Sequence, residues 1–193
     1  MQTFPTERAA ALSDGVFAVA ATLLVIDVRL PAGQGGFTFA MLGPIAPQIL
    51  GYVISFLVTG QMWLAYHRKL QLVQRIDKRG LALNLLFLMC VAFIPFSTAV
   101  LSAHGTRDAV VLYALTIVAA SAMLTLLWLH LRRHRDWLVA GPHAGVDHRR
   151  EALRTLLVPA VFLLSIPLAW LDPDWAMASW LLLVPAALLV GRR

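Results

Sequence analysis

The sequence predicts an all-α membrane protein with six transmembrane helices and both termini on the cytoplasmic side. Three observations predict it. Of the 193 residues, 60% are hydrophobic and only 13% charged, whereas a soluble domain is about 45–50% apolar. Six apolar runs recur along the chain, each near the roughly 20 residues that a bilayer crossing requires. Without water in the hydrocarbon, backbone polar groups must pair within helices or closed barrels, and runs of this length indicate helices. Finally, the basic residues are segregated. Arg8, five residues between 67 and 80, six between 132 and 154, and the terminal Arg192 and Arg193 fall on one side of an alternating six-span chain, against Arg29 and Arg107 on the other. An excess of Lys and Arg marks the cytoplasmic side.

The spans follow in order. Span one covers about residues 8–29 and precedes Pro31 and a glycine-rich turn, Gly33 to Gly36. Its length exceeds that of a signal-peptide core, and five more spans follow, so an uncleaved first span is expected. Span two covers about 44–66, with Pro44 and Pro47 in its first turns, where the missing N–H costs nothing. A basic loop to Arg79 leads to span three, about 81–102, which contains Asn84 and Pro95. Span four covers about 109–131 and ends in Leu-Arg-Arg-His-Arg. A polar basic loop with Gly141, Pro142 and Gly145 precedes span five, about 153–171, and Asp172-Pro173-Asp174 turns the chain into span six, about 174–191. Residues 1–193 are read as one six-helix unit without internal repeats.

Several function classes are disfavoured. The chain has a single cysteine, Cys90, inside an apolar run, so no disulfide framework is expected. No zinc-protease motif, phosphate-binding loop or nucleophile elbow occurs, so no catalytic residue is assigned and the protein is not expected to be an enzyme. The net charge of +6 lies in inter-span loops and reports orientation rather than nucleic-acid binding. His130 and His134 stand four apart and could bind a metal, but they lie among Arg132, Arg133 and Arg135. They are read as a solvated helix end, with no metal and no cofactor.

Span one carries the informative residues. At about 100° per residue, Gly15, Val19, Thr22, Leu23 and Ile26 fall on one stripe, and Ser13, Asp14 and Phe17 fall on the other side. An acid near a span is costly and calls for a partner. Alternating topology brings Arg8, Ser13 and Asp14, then Trp63 and His67 from span two, then Asn84 from span three, to the same membrane face. A shared network is expected there, with Asp14 accepting and Ser13, Trp63, His67 and Asn84 able to donate.

Taken together, these residues resemble the transmembrane protein 175 family of lysosomal potassium channels and their bacterial relatives. The stretch R-A-A-A-L-S-D, Arg8 to Asp14, is similar to the family signature, with Leu12 where the family has Phe. The G-V-F-A-V-A-A-T-L-L-V that follows, the S-F-L-V-T-G-Q-M-W-L-A-Y-H-R of span two and the N-L-L-F-L-M-C-V-A-F-I-P-F-S-T of span three continue the likeness over about residues 8–100.

The resemblance implies a bacterial-type member with one six-helix unit per chain, assembled as a homotetramer whose first helices line a central pore. It places the apolar constriction at Val19 and further pore-facing layers at Thr22, Leu23 and Ile26. It assigns Arg8, Ser13, Asp14, Trp63, His67 and Asn84 to the structural network. The implied activity is passive, potassium-selective conduction across the inner (plasma) membrane. The expected partners are other copies of the chain, membrane lipid and the permeant cation. The alternative is a secondary transporter or proton-coupled carrier, which would need an ionisable group or a broken helix at mid-membrane. Pro95, Pro159, Pro167 and Pro185 are the positions that could break one. A purely structural membrane protein would leave the Thr22 stripe unexplained.

Overall fold

The computed structural model describes residues 3–30, 38–138 and 148–180, the last group without the side chains of 148–156. The elements run β1 (Thr3–Pro5), α1 (Glu7–Leu23), α2 (Ala46–Leu70), β2 (Arg75–Asp77), α3 (Lys78–His104), α4 (Arg107–Leu131), α5 (His148–Leu171) and α6 (Pro173–Trp180). A short 3-10 turn, Phe39–Leu42, precedes α2. Among the described residues three helices, α2, α3 and α4, are long and apolar enough to cross a membrane, and Leu157–Leu171 of α5 is a shorter apolar stretch. The glycine-rich turn at 33–36, the Gly141–Gly145 stretch and most of span six lie outside the described residues.

The boundaries differ from the hydropathy reading for local reasons. The first helix does not extend to 29: α1 ends at Leu23, and the chain passes into turns through Asp27, closed by Ile26 N–H to Leu23 O at 3.1 Å and Val28 N–H to Val25 O at 3.1 Å. The α2 helix starts at Ala46 with Pro47 in its first turn and runs past residue 66 to Leu70, because the basic tail His67-Arg68-Lys69 complements the helix C-terminus. The Asp77 carboxylate caps α3, accepting from Gly80 N–H at 2.8 Å, which moves that start back to Lys78. A Cβ at Gly80 would lie 2.6 Å from Ile76 Cγ1, so this close turn requires glycine. The α3 helix closes on Gly105 in the left-handed region, φ 58°, which glycine adopts without steric cost.

The chain also forms a feature that hydropathy did not predict. Strands β1 and β2 pair antiparallel, with Thr3 opposite Asp77, Phe4 opposite Ile76 and Pro5 opposite Arg75. Three-residue strands carry too little alternation to register as a period. This small sheet lies at the end of the bundle that carries the basic loops and connects the root of α1 to the head of α3.

The buried core runs through the bundle. In the first half, Phe17, Tyr66 and Phe87 bring α1, α2 and α3 together, with ring centroids 5.5–6.2 Å apart. In the second half, Tyr113, Phe162 and Trp180 do the same for α4, α5 and α6 at 5.0–5.7 Å. Such pairs add about 0.5–1.5 kcal/mol each beyond area burial.

Candidate functional site

The α1 helix has two faces of different character. Ala9, Ser13, Phe17 and Ala20, with Leu24 just beyond, are buried against the bundle. Their spacing of four, four, three and four residues is one helical stripe. On the other side Gly15 and Thr22 are exposed, and Val19, Leu23 and Ile26 are 57%, 42% and 59% exposed within the single chain. The stripe drawn from periodicity is thus the face that the described residues leave exposed. The Thr22 hydroxyl donates to Val19 O at 2.9 Å. That bond uses its only proton and leaves the oxygen lone pairs directed away from the helix.

The expected network exists as two separate units, organised around a residue absent from the sequence-derived set. Ser13 is fully buried and donates to Ala9 O at 2.7 Å. Its one proton being used there, the Tyr66 hydroxyl 2.7 Å away donates to Ser13 Oγ, as does Asn84 Nδ2 at 3.3 Å. This inner unit joins α1, α2 and α3. The outer unit is Asp14 with Trp63: the indole N–H donates to Asp14 Oδ1 at 2.8 Å. His67 stacks on Trp63 with centroids 5.2 Å apart, and its Nε2 lies 2.8 Å from the Gln71 amide rather than bonding to Asp14. Asp14 is exposed in the single chain, unlike its sequence neighbour Ser13, and so is Arg8. The single shared network of the sequence reading is therefore corrected, because successive helical positions differ by about 100°. Ser13 points into the bundle and Asp14 turns along its flank.

Tyr66 was legible in principle. Ser55, Thr59, Met62 and Tyr66 stand four, three and four apart on α2 and are all buried. That stripe mixes polar and apolar residues, which is the mark of a helix face that hydrogen-bonds to neighbours. Further along it, Ser55 Oγ donates to the Tyr113 hydroxyl at 3.0 Å, and the Thr98 hydroxyl lies 2.9 Å from Ser55 Oγ.

His130 is not part of a solvated helix end: its side chain is only 17% exposed, and Nε2 lies 2.8 Å from Asp77 Oδ1. Burial pushes the Asp77 carboxyl up, but the bonds from Gly80 N–H and His130 outweigh it and hold the group below the usual carboxylate range. His134 stacks on Trp137 at 3.9 Å instead of joining His130 in a ligand pair. Among the described residues no group of three metal-ligating side chains converges.

The comparisons with known proteins fit this arrangement. The family profile described as endosomal/lysosomal potassium channel TMEM175 matches residues 8–95, the part that holds α1, the two polar units and most of α3. A protein of Streptomyces collinus named as a potassium channel is 38% identical over 181 residues, covering 89% of this chain and 86% of that protein. The crystal structure of a lysosomal potassium-selective channel TMEM175 homolog from Chamaesiphon minutus superposes with a TM-score of 0.78 at 28% identity, covering 97% of this chain and 98% of the other. A mouse protein named as the endosomal/lysosomal proton channel TMEM175 is 29% identical over 96% of this chain, which spans 41% of the mouse protein.

Proposed function

The chain belongs to the TMEM175 family of endosomal/lysosomal potassium channels, and from that premise we propose that copies of its α1 helix line the conduction pathway. The protein is a multi-pass membrane potassium channel and not an enzyme. The observation that carries the pore reading is the uncovered face of α1. Its opposite side is fastened to α2 and α3 by Phe17 and Ser13, while Gly15, Val19, Thr22, Leu23 and Ile26 are exposed and uncovered by the described residues. A stripe meant only for lipid needs no glycine or hydroxyl. Around a symmetry axis the same stripe gives stacked apolar rings with one ring of oxygens.

In this reading four chains assemble with six spans each, both termini and the basic loops face the cytoplasm, and the host membrane is the inner (plasma) membrane. Val19 forms the main constriction. An apolar ring gates by dewetting, and hydroxyl oxygens replace part of the water around a passing ion. Potassium gives up water more readily than sodium, so a narrow, weakly coordinating passage favours it. Thr22 suits this role because its proton is held by Val19 O, leaving only acceptor capacity towards a cation.

The transporter reading is disfavoured by the placement of buried charge. Among the described residues, the buried charged side chains are Lys69 and Asp77, both at the basic-loop end and neither at mid-span.

Purified protein in liposomes with a potassium gradient tests the proposal. Potassium flux that follows voltage without a co-ion is expected. Val19→Ala should raise the flux and admit more sodium, while Thr22→Val should lower potassium preference with assembly intact. Unchanged reversal potentials in both variants would remove α1 from the pore. Single cysteines at Arg133 and Asp172, in a Cys90→Ser background, should label from opposite sides; labelling from one side would refute the six-span topology.

A further inference from the structure

We propose that His130 and Asp77 form a proton-sensitive clamp that positions the cytoplasmic root of α1, so that acidification on that side changes conduction. The inference rests on the reading above, that α1 lines the pore and the basic loops are cytoplasmic. Its test separates the two.

Asp77 ends β2 and caps α3. Its Oδ1 faces both Gly80 N–H and His130 Nε2, at 2.8 Å each. Its Oδ2 is buried with no hydrogen-bond partner among the described residues. On the same strand, Asp77 pairs with Thr3 and Arg75 with Pro5, and β1 runs through Thr6 directly into α1. The Thr6 hydroxyl donates to Val73 O at 2.9 Å. On the other side of the strap, Gln74 N–H donates to Trp137 O at 2.8 Å, and Val73 bridges to Leu138. The segment 73–77 therefore holds the root of α1 on one flank and the turn that follows α4 on the other. His130 provides its side-chain fastening to α4.

Histidine changes charge between about pH 5 and 8. Neutral, the imidazole donates an N–H to the ionised carboxylate. Protonated, it adds a full opposite charge beside that carboxylate, and Asp77 is 1% exposed, where solvent screening is weak. Falling pH therefore tightens the fastening. The other titratable or charged groups around it, among the described residues, do not reproduce this. His134 stands 5.7 Å from His130, ring to ring, but is stacked on Trp137. Lys69 of α2 lies over Trp128 at 6.0 Å. Arg75, Lys78, Arg79, Arg132, Arg133 and Asp136 are exposed.

The test uses the full chain in planar bilayers, with pH on the basic-loop side stepped from about 7.5 to about 5.5. Wild-type current should change by about five- to tenfold, the lower part of the usual range for coupling between two sites. His130→Gln keeps a donor but cannot titrate, and its current should be flat. Asp77→Asn preserves a good helix cap and should also be flat. His134→Gln should respond like wild type. In parallel, the thermal midpoint of the detergent-solubilised protein should rise from pH 7.5 to 6 in wild type and not in His130→Gln. A pH response that survives His130→Gln, or vanishes in His134→Gln, would overturn the clamp. So would a midpoint with the same pH dependence in wild type and His130→Gln. Absence of any potassium current in wild type would instead defeat the channel reading, and the midpoint comparison alone would then decide the clamp.

Discussion

The two aromatic triads look alike and hold different things. Phe17, Tyr66 and Phe87 join α1–α3, and Tyr113, Phe162 and Trp180 join α4–α6. In each the tyrosine hydroxyl meets a serine: Ser13 for Tyr66 and Ser55 for Tyr113. The difference lies in where that serine sits. Ser13 belongs to α1, a helix the first triad already grips, so apolar and polar contacts fasten the same helix from one side. Ser55 belongs to α2, outside the second triad, so its bond ties the second half of the chain to the first. One triad positions a helix whose far face is uncovered; the other locks the scaffold behind it.

Removing rings tests that division most severely. Phe87 and Phe162 are both fully buried, and each change to alanine should cost about 3–5 kcal/mol, read as a lowered thermal midpoint in detergent. Only Phe87→Ala should alter cation preference in the protein that still folds. If Phe162→Ala moved the reversal potential as far, the two triads would share one role.

The hydroxyls give a finer contrast. Tyr113→Phe leaves the buried Ser55 proton without its acceptor and should cost about 1–3 kcal/mol. Tyr66→Phe leaves Ser13 still bonded to Ala9 O and Asn84, so about 0.5–1.5 kcal/mol is expected. Chemical denaturation of the pair would expose a reversed order.

Acid should separate the halves as well. The Asp77 carboxyl is held below its ordinary range, so it stabilises the fold above the unfolded value of about 4. That contribution is lost as pH falls through the lower folded value. Hydrogen exchange below about pH 4 should therefore quicken at the root of α1 and the head of α3 before it does in α6. Asp14→Asn should have the smallest effect on stability, below about 1 kcal/mol, since its bond to Trp63 is exposed in the single chain. A loss comparable to Phe87→Ala would restore the network.

The residues that were legible are those whose signal is carried by one segment. Hydropathy located α2, α3 and α4 because each contains its own span's worth of apolar residues. Period alone found the two faces of α1, since Phe17 and Val19 differ by two positions and thus by most of a half-turn. What escaped depends on partners distant in sequence. Tyr66 sits between Trp63 and His67, where an aromatic residue passes for an interfacial anchor, and only Ser13 and Asn84 reveal its hydroxyl as a hub. The pair of His130 with Asp77, 53 positions apart, is invisible beside the nearer coincidence of His130 with His134. The early end of α1 after Leu23 was hidden because Val25, Ile26 and Val28 continue the apolar run without continuing the helix.

The link between α3 and α4 has a consequence for how the protein is made. Gly105, at φ 58°, and Thr106 are all that separate a helix of 27 residues from one of 25. Contacts between neighbours this close in sequence form early, because little loop entropy opposes them. Basic residues flank both open ends of the hairpin, Lys78 and Arg79 at one and Arg132 and Arg133 at the other. A nascent chain can therefore send this hairpin across as one folded piece while both ends stay behind. A β-branched residue at Gly105 would strain that turn, and the defect would be seen first in the yield of inserted protein, before any property of the finished channel.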